Sequence, residues 1–247
     1  MRLSAMVVHI VGTLLIACMS YLLIREIWYP DFFWAIAGGS GLFLLICAVD
    51  AVLGPLLTLA VFNPSKGIRK LRADLLVIVF LQLAALCYGI FVVASVRPLF
   101  LVYTVDRFNL VTASELTAAQ LRTAELPAYR ELRWLGPQII GTREPRSGDE
   151  KFEFIDSALS GRDRQLLPKT YVPLSQVKDA LISHIRPLDS LSKLAPTHAT
   201  LISHVKTEFA SRKAKLGFIP VIAQGDWIMI VDGDTGELLR ALPIDGM

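Results

Sequence analysis

Three long apolar runs fill the first 96 residues, and they restrict the fold more than any other feature of the chain. Val7–Ile24 is 18 residues without Asp, Glu, Lys or Arg. Gly41–Phe62 is 22 residues whose only charged side chain is Asp50, and Leu75–Val96 is 22 residues with none. Each run is long enough to cross a hydrocarbon core of ~30 Å as a helix. The sequence therefore predicts an α-helical membrane domain with three transmembrane helices over residues 1–96, followed by a small α+β domain over 97–247.

The second half has the composition of a folded globular unit. It holds 19 Lys or Arg and 18 Asp or Glu, a balance that gives no electrostatic case for nucleic acid. Leu99–Val111 reads as one strand emerging from the membrane, interrupted by Asp106-Arg107. Thr117-Ala118-Ala119-Gln120 has the pattern of a capping box. Helices are expected at Lys151–Leu159, Pro173–Ile185 and Ala199–Lys215. Phe218–Ala223 and Trp227–Val231 read as strands, and Asp232–Gly236 as a turn into a last strand, Glu237–Ile244.

Basic residues set the expected orientation. The loop between the second and third runs carries Lys66, Arg69, Lys70 and Arg72, whereas the loop before it has only Arg25 beside Glu26 and Asp31. The excess of Lys and Arg places the basic loop in the cytoplasm. Three spans then place the N-terminus in the cytoplasm and the C-terminal domain outside, which in a bacterium is the periplasm, in a multi-pass membrane protein. Leu15-Ile16-Ala17-Cys18 resembles a lipoprotein processing box, but the apolar run continues through Ile24, so a span is the better reading. Cys18, Cys47 and Cys87 all lie in the apolar runs, which leaves the exported domain without a disulfide. Trp28-Tyr29-Pro30 and Phe32-Phe33-Trp34 read as an interfacial aromatic belt.

Asp50 marks the candidate site. A carboxylate near the centre of a membrane helix costs ~2.5–3.5 kcal/mol and normally has a partner. Helical spacing puts Asp50, Gly54 and Leu57 on one stripe with Thr58 at its edge, while Pro55 kinks the helix and Gly54 admits a close neighbour. The stripe reads either as an internal seam or as a docking seam for another membrane helix. Gln82 and Tyr88 lie at a matching depth and are the expected intramembrane partners of Asp50.

No catalytic constellation emerges. Asp232-x-Asp234-x-Gly236 lacks the length and distal Glu of a calcium loop, and His184, His198 and His204 lack metal-ligand spacing. Neither a nucleophile elbow nor a glycine-rich phosphate cradle is present. The chain is expected to be no enzyme and to need no metal or cofactor.

Several pieces together resemble the TfpX/TfpZ-type type IV pilin accessory proteins. They are Trp28-Tyr29-Pro30, Asp50-x-x-Leu53-Gly54-Pro55-Leu56-Leu57-Thr58, Leu81-Gln82-Leu83-Ala84-Ala85 with Tyr88-Gly89, and Arg97-Pro98 with Val105-Asp106-Arg107-Phe108. Tyr171-Val172-Pro173 and Asp232-x-x-Thr235-Gly236-Glu237 match more loosely. The resemblance implies a multi-pass protein of the bacterial inner membrane that helps its cognate major type IV pilin accumulate, assemble or retract. The expected function is a pilin-specific chaperone or assembly adaptor, with the pilin, membrane lipid and inner-membrane pilus platform components as partners. The alternative is a periplasmic-domain sensor or regulator of the pilus motor platform.

Overall fold

The fold, taken from a computed structural model, is described for residues 2–44, 47, 67–194, 196–210 and 215–246. The chain begins as a helix, Arg2–Leu22, that runs into a wider π-helical turn, Leu23–Trp28. Ser20, Ile24 and Trp28, four residues apart, form its buried stripe. Leu14, Leu15, Met19 and Leu22 on the other sides are exposed. A second long helix, Ile68–Ser95, starts after Gly67 and buries Ile78 and Val93.

The expectation of three transmembrane helices and a small α+β domain does not hold. Among the described residues, two helices are long and apolar enough to cross a membrane, Ile10–Trp28 and Leu76–Ser95. C-terminal to them lies no small domain but one eight-stranded mixed sheet. Its strands are β1 (Pro98–Thr104), β2 (Arg107–Thr112), β3 (Gln138–Thr142), β4 (Tyr171–Pro173), β5 (Arg186–Pro187), β6 (Leu216–Ala223), β7 (Gly225–Asp232) and β8 (Leu238–Leu242). The order is β4-β3-β1-β2-β6-β7-β8, with β5 pairing to β6 off that path. Most of the middle run, Gly41–Phe62, lies outside the described residues, and apolar content could not foretell how much of the rest pairs into sheet. Part of the aromatic stretch assigned to a membrane belt is also consumed by this sheet. Phe33 and Ile36 lie in its core, beside Leu101, Phe108, Val221 and Met229.

β1 explains the architecture. All seven of its residues are buried, as expected of a central strand covered on both faces. Leu101 and Tyr103 enter one core, while Leu99, Phe100 and Val102 enter another with Tyr129, Ile140 and Tyr171. β3 runs parallel to β1, with Leu101 opposite Ile139. β2 runs antiparallel, with Tyr103 opposite Phe108. The predicted single strand over Leu99–Val111 is therefore a hairpin turning at Val105-Asp106. Val105 takes φ 49°, a conformation that a β-branched residue rarely adopts. Arg107 steadies the turn through its Nε, 2.8 Å from the Asp106 carboxylate.

Other local expectations are met. Thr117 and Gln120 form the reciprocal capping box, although the helix it opens is short, Ala118–Leu121. Asp232 Oδ1 accepts from the backbone N–H groups of Asp234 and Thr235, each at 2.9 Å, and so closes the turn between β7 and β8. The helix expected at Lys151–Leu159 starts three residues earlier, as Gly148–Leu159, with the Ser147 hydroxyl as its cap.

An ion network holds that helix to the end of β3. Arg143 donates to Glu150 at 2.7 Å and to Glu125 at 2.8 Å, and Arg146 donates to Glu125 at 2.9 Å. The Arg143 bond, followed by the Arg146 backbone N–H, holds the Glu150 carboxyl down at about 2, from an ordinary 4.5. A lowered carboxyl adds stability above its unfolded value and loses it as pH falls through the folded one. Wild-type melting temperature should thus fall between about pH 4.5 and pH 2. Glu150→Gln should melt lower at neutral pH and show a shallower fall across that window. Melts of the detergent-solubilised protein check this, and parallel curves for both proteins would contradict it.

Candidate functional site

Pro98 follows the second long helix with only Val96 and Arg97 between them. Around this joint the structure gathers residues from three parts of the chain. Arg97 is only 5 % exposed. Its Nη1 donates to the Ala94 carbonyl at 2.5 Å, and its Nε and Nη2 donate to the Arg133 carbonyl at 3.3 and 2.9 Å. The guanidinium lies 4.4 Å from the centre of the Trp134 ring. Trp28 Nε1 donates to the Trp134 carbonyl at 3.1 Å, and the Tyr29 hydroxyl donates to the Val93 carbonyl at 3.4 Å.

The two side chains at the joint feel their burial. Desolvation draws the Arg97 guanidinium below its ordinary value, opposed by Tyr29. Desolvation raises the Tyr29 phenol, opposed by Arg97. Burial favours the neutral phenol, while a guanidinium keeps its charge in proteins even when desolvated. The chemistry is structural: a fixed charge donates to backbone carbonyls that would otherwise stay unpaired. Just past the end of β6, Gln224 N–H donates to the Ile36 carbonyl at 3.1 Å. Gly38 takes φ +66° there, and a Cβ on it would lie 1.6 Å from Gln224 Oε1. Only glycine fits this close approach without displacing Gln224.

Trp28-Tyr29-Pro30 and Arg97-Pro98, which carry separate parts of the sequence pattern, thus meet in one place. Spacing could not reveal this, since the pairing depends on where both helices end. Trp134 is the residue that sequence reading missed, and its one signal was a Trp in the turn sequence before Gly136-Pro137.

Between the two long helices runs a cleft of about 190 Å³. Gly12, Thr13 and Ile16 line one wall, and Val79, Gln82 and Leu86 the other. Gln82 therefore faces the first helix. Tyr88 points away, 70 % exposed. Six residues separate them, which at about 3.6 per turn sets them on different sides of the helix. Asp50, Gly54, Pro55, Leu57, Thr58 and Lys66 lie outside the described residues. Arg69 and Lys70 are exposed on the first turn of the second long helix, and Arg72 belongs to the same helix. Among the described residues, no group of three His, Cys, Asp or Glu is placed to hold a metal ion.

No family model matches the chain, and no solved structure gives a significant match. Curated relatives do match. The fimbrial assembly protein of Dichelobacter nodosus serogroup I is 30% identical over 246 residues, covering 96% of this chain and 93% of the relative. The serogroup E1 protein is 29% identical over the same length and coverage. The protein of serogroups C1 and C2 is 32% identical over 117 residues, 47% of this chain and 89% of that relative. In keeping with the resemblance to type IV pilin accessory proteins, the chain belongs to the family of these fimbrial assembly proteins.

Proposed function

We propose that the protein is a non-enzymatic assembly factor of the bacterial inner membrane, acting in type IV pilus biogenesis as a chaperone or adaptor for its cognate major pilin. The observation that carries this reading is similarity along nearly the whole chain to proteins named for fimbrial assembly. A pilin awaiting assembly has one apolar helix and a periplasmic headgroup. This protein offers matching surfaces, a cleft between two apolar helices and a rigid sheet joined directly to one of them. Arg69, Lys70 and Arg72 stand at the opposite end of that helix from the sheet. The positive-inside rule then favours a cytoplasmic basic end and a periplasmic sheet.

Deleting the gene from a piliated strain should remove surface pili, and a plasmid copy should restore them. Pilin should co-purify with the detergent-solubilised protein. Reporter fusions after Gly67 should read cytoplasmic, and those after Gly148 periplasmic. Normal piliation in the deletion strain would sink the assembly role. Recovery of motor-platform components without pilin would favour the regulator instead.

A further inference from the structure

We propose that the loop Arg133–Gly136 is a membrane-contact site, with Trp134 and Leu135 seated in the headgroup–acyl boundary of a phospholipid bilayer. The proposal rests on the reading that the two long apolar helices cross a membrane.

Trp134 is 62 % exposed and Leu135 is 68 % exposed, whereas neighbouring Trp28 is 6 % exposed. Two adjacent large apolar side chains at a loop tip have no role in the sheet's own core. The loop's height is fixed from both helices. Trp28, the last residue of one candidate span, donates to the Trp134 carbonyl. Arg97, two residues past the other span, donates to the Arg133 carbonyl and stacks on the Trp134 ring. Gly136 takes φ +62°, and its Cβ position lies 3.7 Å from the Ile27 carbonyl, so the loop returns against the end of the first helix. Trp134 and Leu135 therefore sit level with the ends of both spans, where Trp concentrates in membrane proteins. The exposed surface of the first helix, with Met19 and Leu22, leads up to the same level. A lipid interface suits this pair because an indole has an apolar body and one polar N–H.

The test uses the full chain with Cys18, Cys47 and Cys87 replaced by Ala and one cysteine returned at a time for labelling with an environment-sensitive fluorophore. The sites are Leu135→Cys, Asp234→Cys and native Cys87. Asp234 lies on the exposed turn beyond β7, at the end of the sheet away from the helices, and Cys87 is exposed on the second long helix. Each protein is reconstituted in phosphatidylethanolamine–phosphatidylglycerol vesicles. Quenching is read with shallow and deep spin-labelled lipids and with aqueous iodide.

The label at 135 should be quenched several-fold more by the shallow lipid than the label at 234, and several-fold less by iodide. The label at 87 should respond to the deep lipid. Iodide quenching at 135 equal to that at 234, with 87 still quenched by lipid, would overturn the loop proposal alone. Protection at 135 from both quenchers would overturn it too, in favour of a protein cover. A label at 87 that no lipid quenches would overturn the membrane reading and this proposal with it.

Discussion

Phe33→Ala should destabilise the sheet domain by about 3–5 kcal/mol, the usual cost of removing a buried aromatic ring. Phe33 is 4 % exposed and shares its cluster with Leu101, Phe108, Val221 and Met229, one from each of four strands. Its ring stacks on Phe32 at 4.7 Å between centroids. The loss is large because the ring is supplied from the segment before the second long helix, so the neighbouring strands have no local residue to fill the space. Phe32→Ala should cost less, since Phe32 is only partly buried. Denaturant unfolding of the detergent-solubilised variants measures both. Wild-type stability for Phe33→Ala would place that ring at a surface and return the stretch to the membrane belt that its sequence suggests.

Arg97→Ala should cost about 2–4 kcal/mol, because two carbonyls at a buried joint lose a charged donor. Lysine should not rescue it. A single ammonium cannot bridge the Ala94 and Arg133 carbonyls as the planar fork does, and it loses the stack on Trp134. The local readout is trypsin cleavage after Arg133, which should speed up in both Arg97→Ala and Arg97→Lys while cleavage after the distant, exposed Arg240 in β8 keeps its wild-type rate. If Arg97→Ala melts like wild type and Arg133 remains protected, the guanidinium is solvated and the joint is not held in this way.

Much of this molecule could be read from single stretches. The capping box at Thr117, the turn at Asp232 and the strands around it rest on short-range chemistry, and so they appear where their residue types put them. Other features come from pairings that no single stretch announces. The Val105-Asp106 turn carries no glycine or asparagine, because the register of β1 against β2 imposes it. β4 is three residues long and exists through its pairing with Thr142, Gly141 and Ile140. Phe33 looks like a belt residue until the sheet core claims it. Gln82 lines the cleft between the two long helices and Tyr88 is exposed, while Asp50, their expected partner, lies outside the described residues.

The direct passage from the second long helix into β1 has a mechanical consequence. A helix of 28 residues is a rod of about 42 Å. It is welded at one end to an interior strand of the sheet, buried along its whole length, and carries its basic cluster at the other. Any twist or tilt applied at the basic end reaches the middle of the sheet with no slack loop to absorb it. The knuckle of Trp28, Tyr29, Arg97 and Trp134 acts as the bearing in which that shaft is seated.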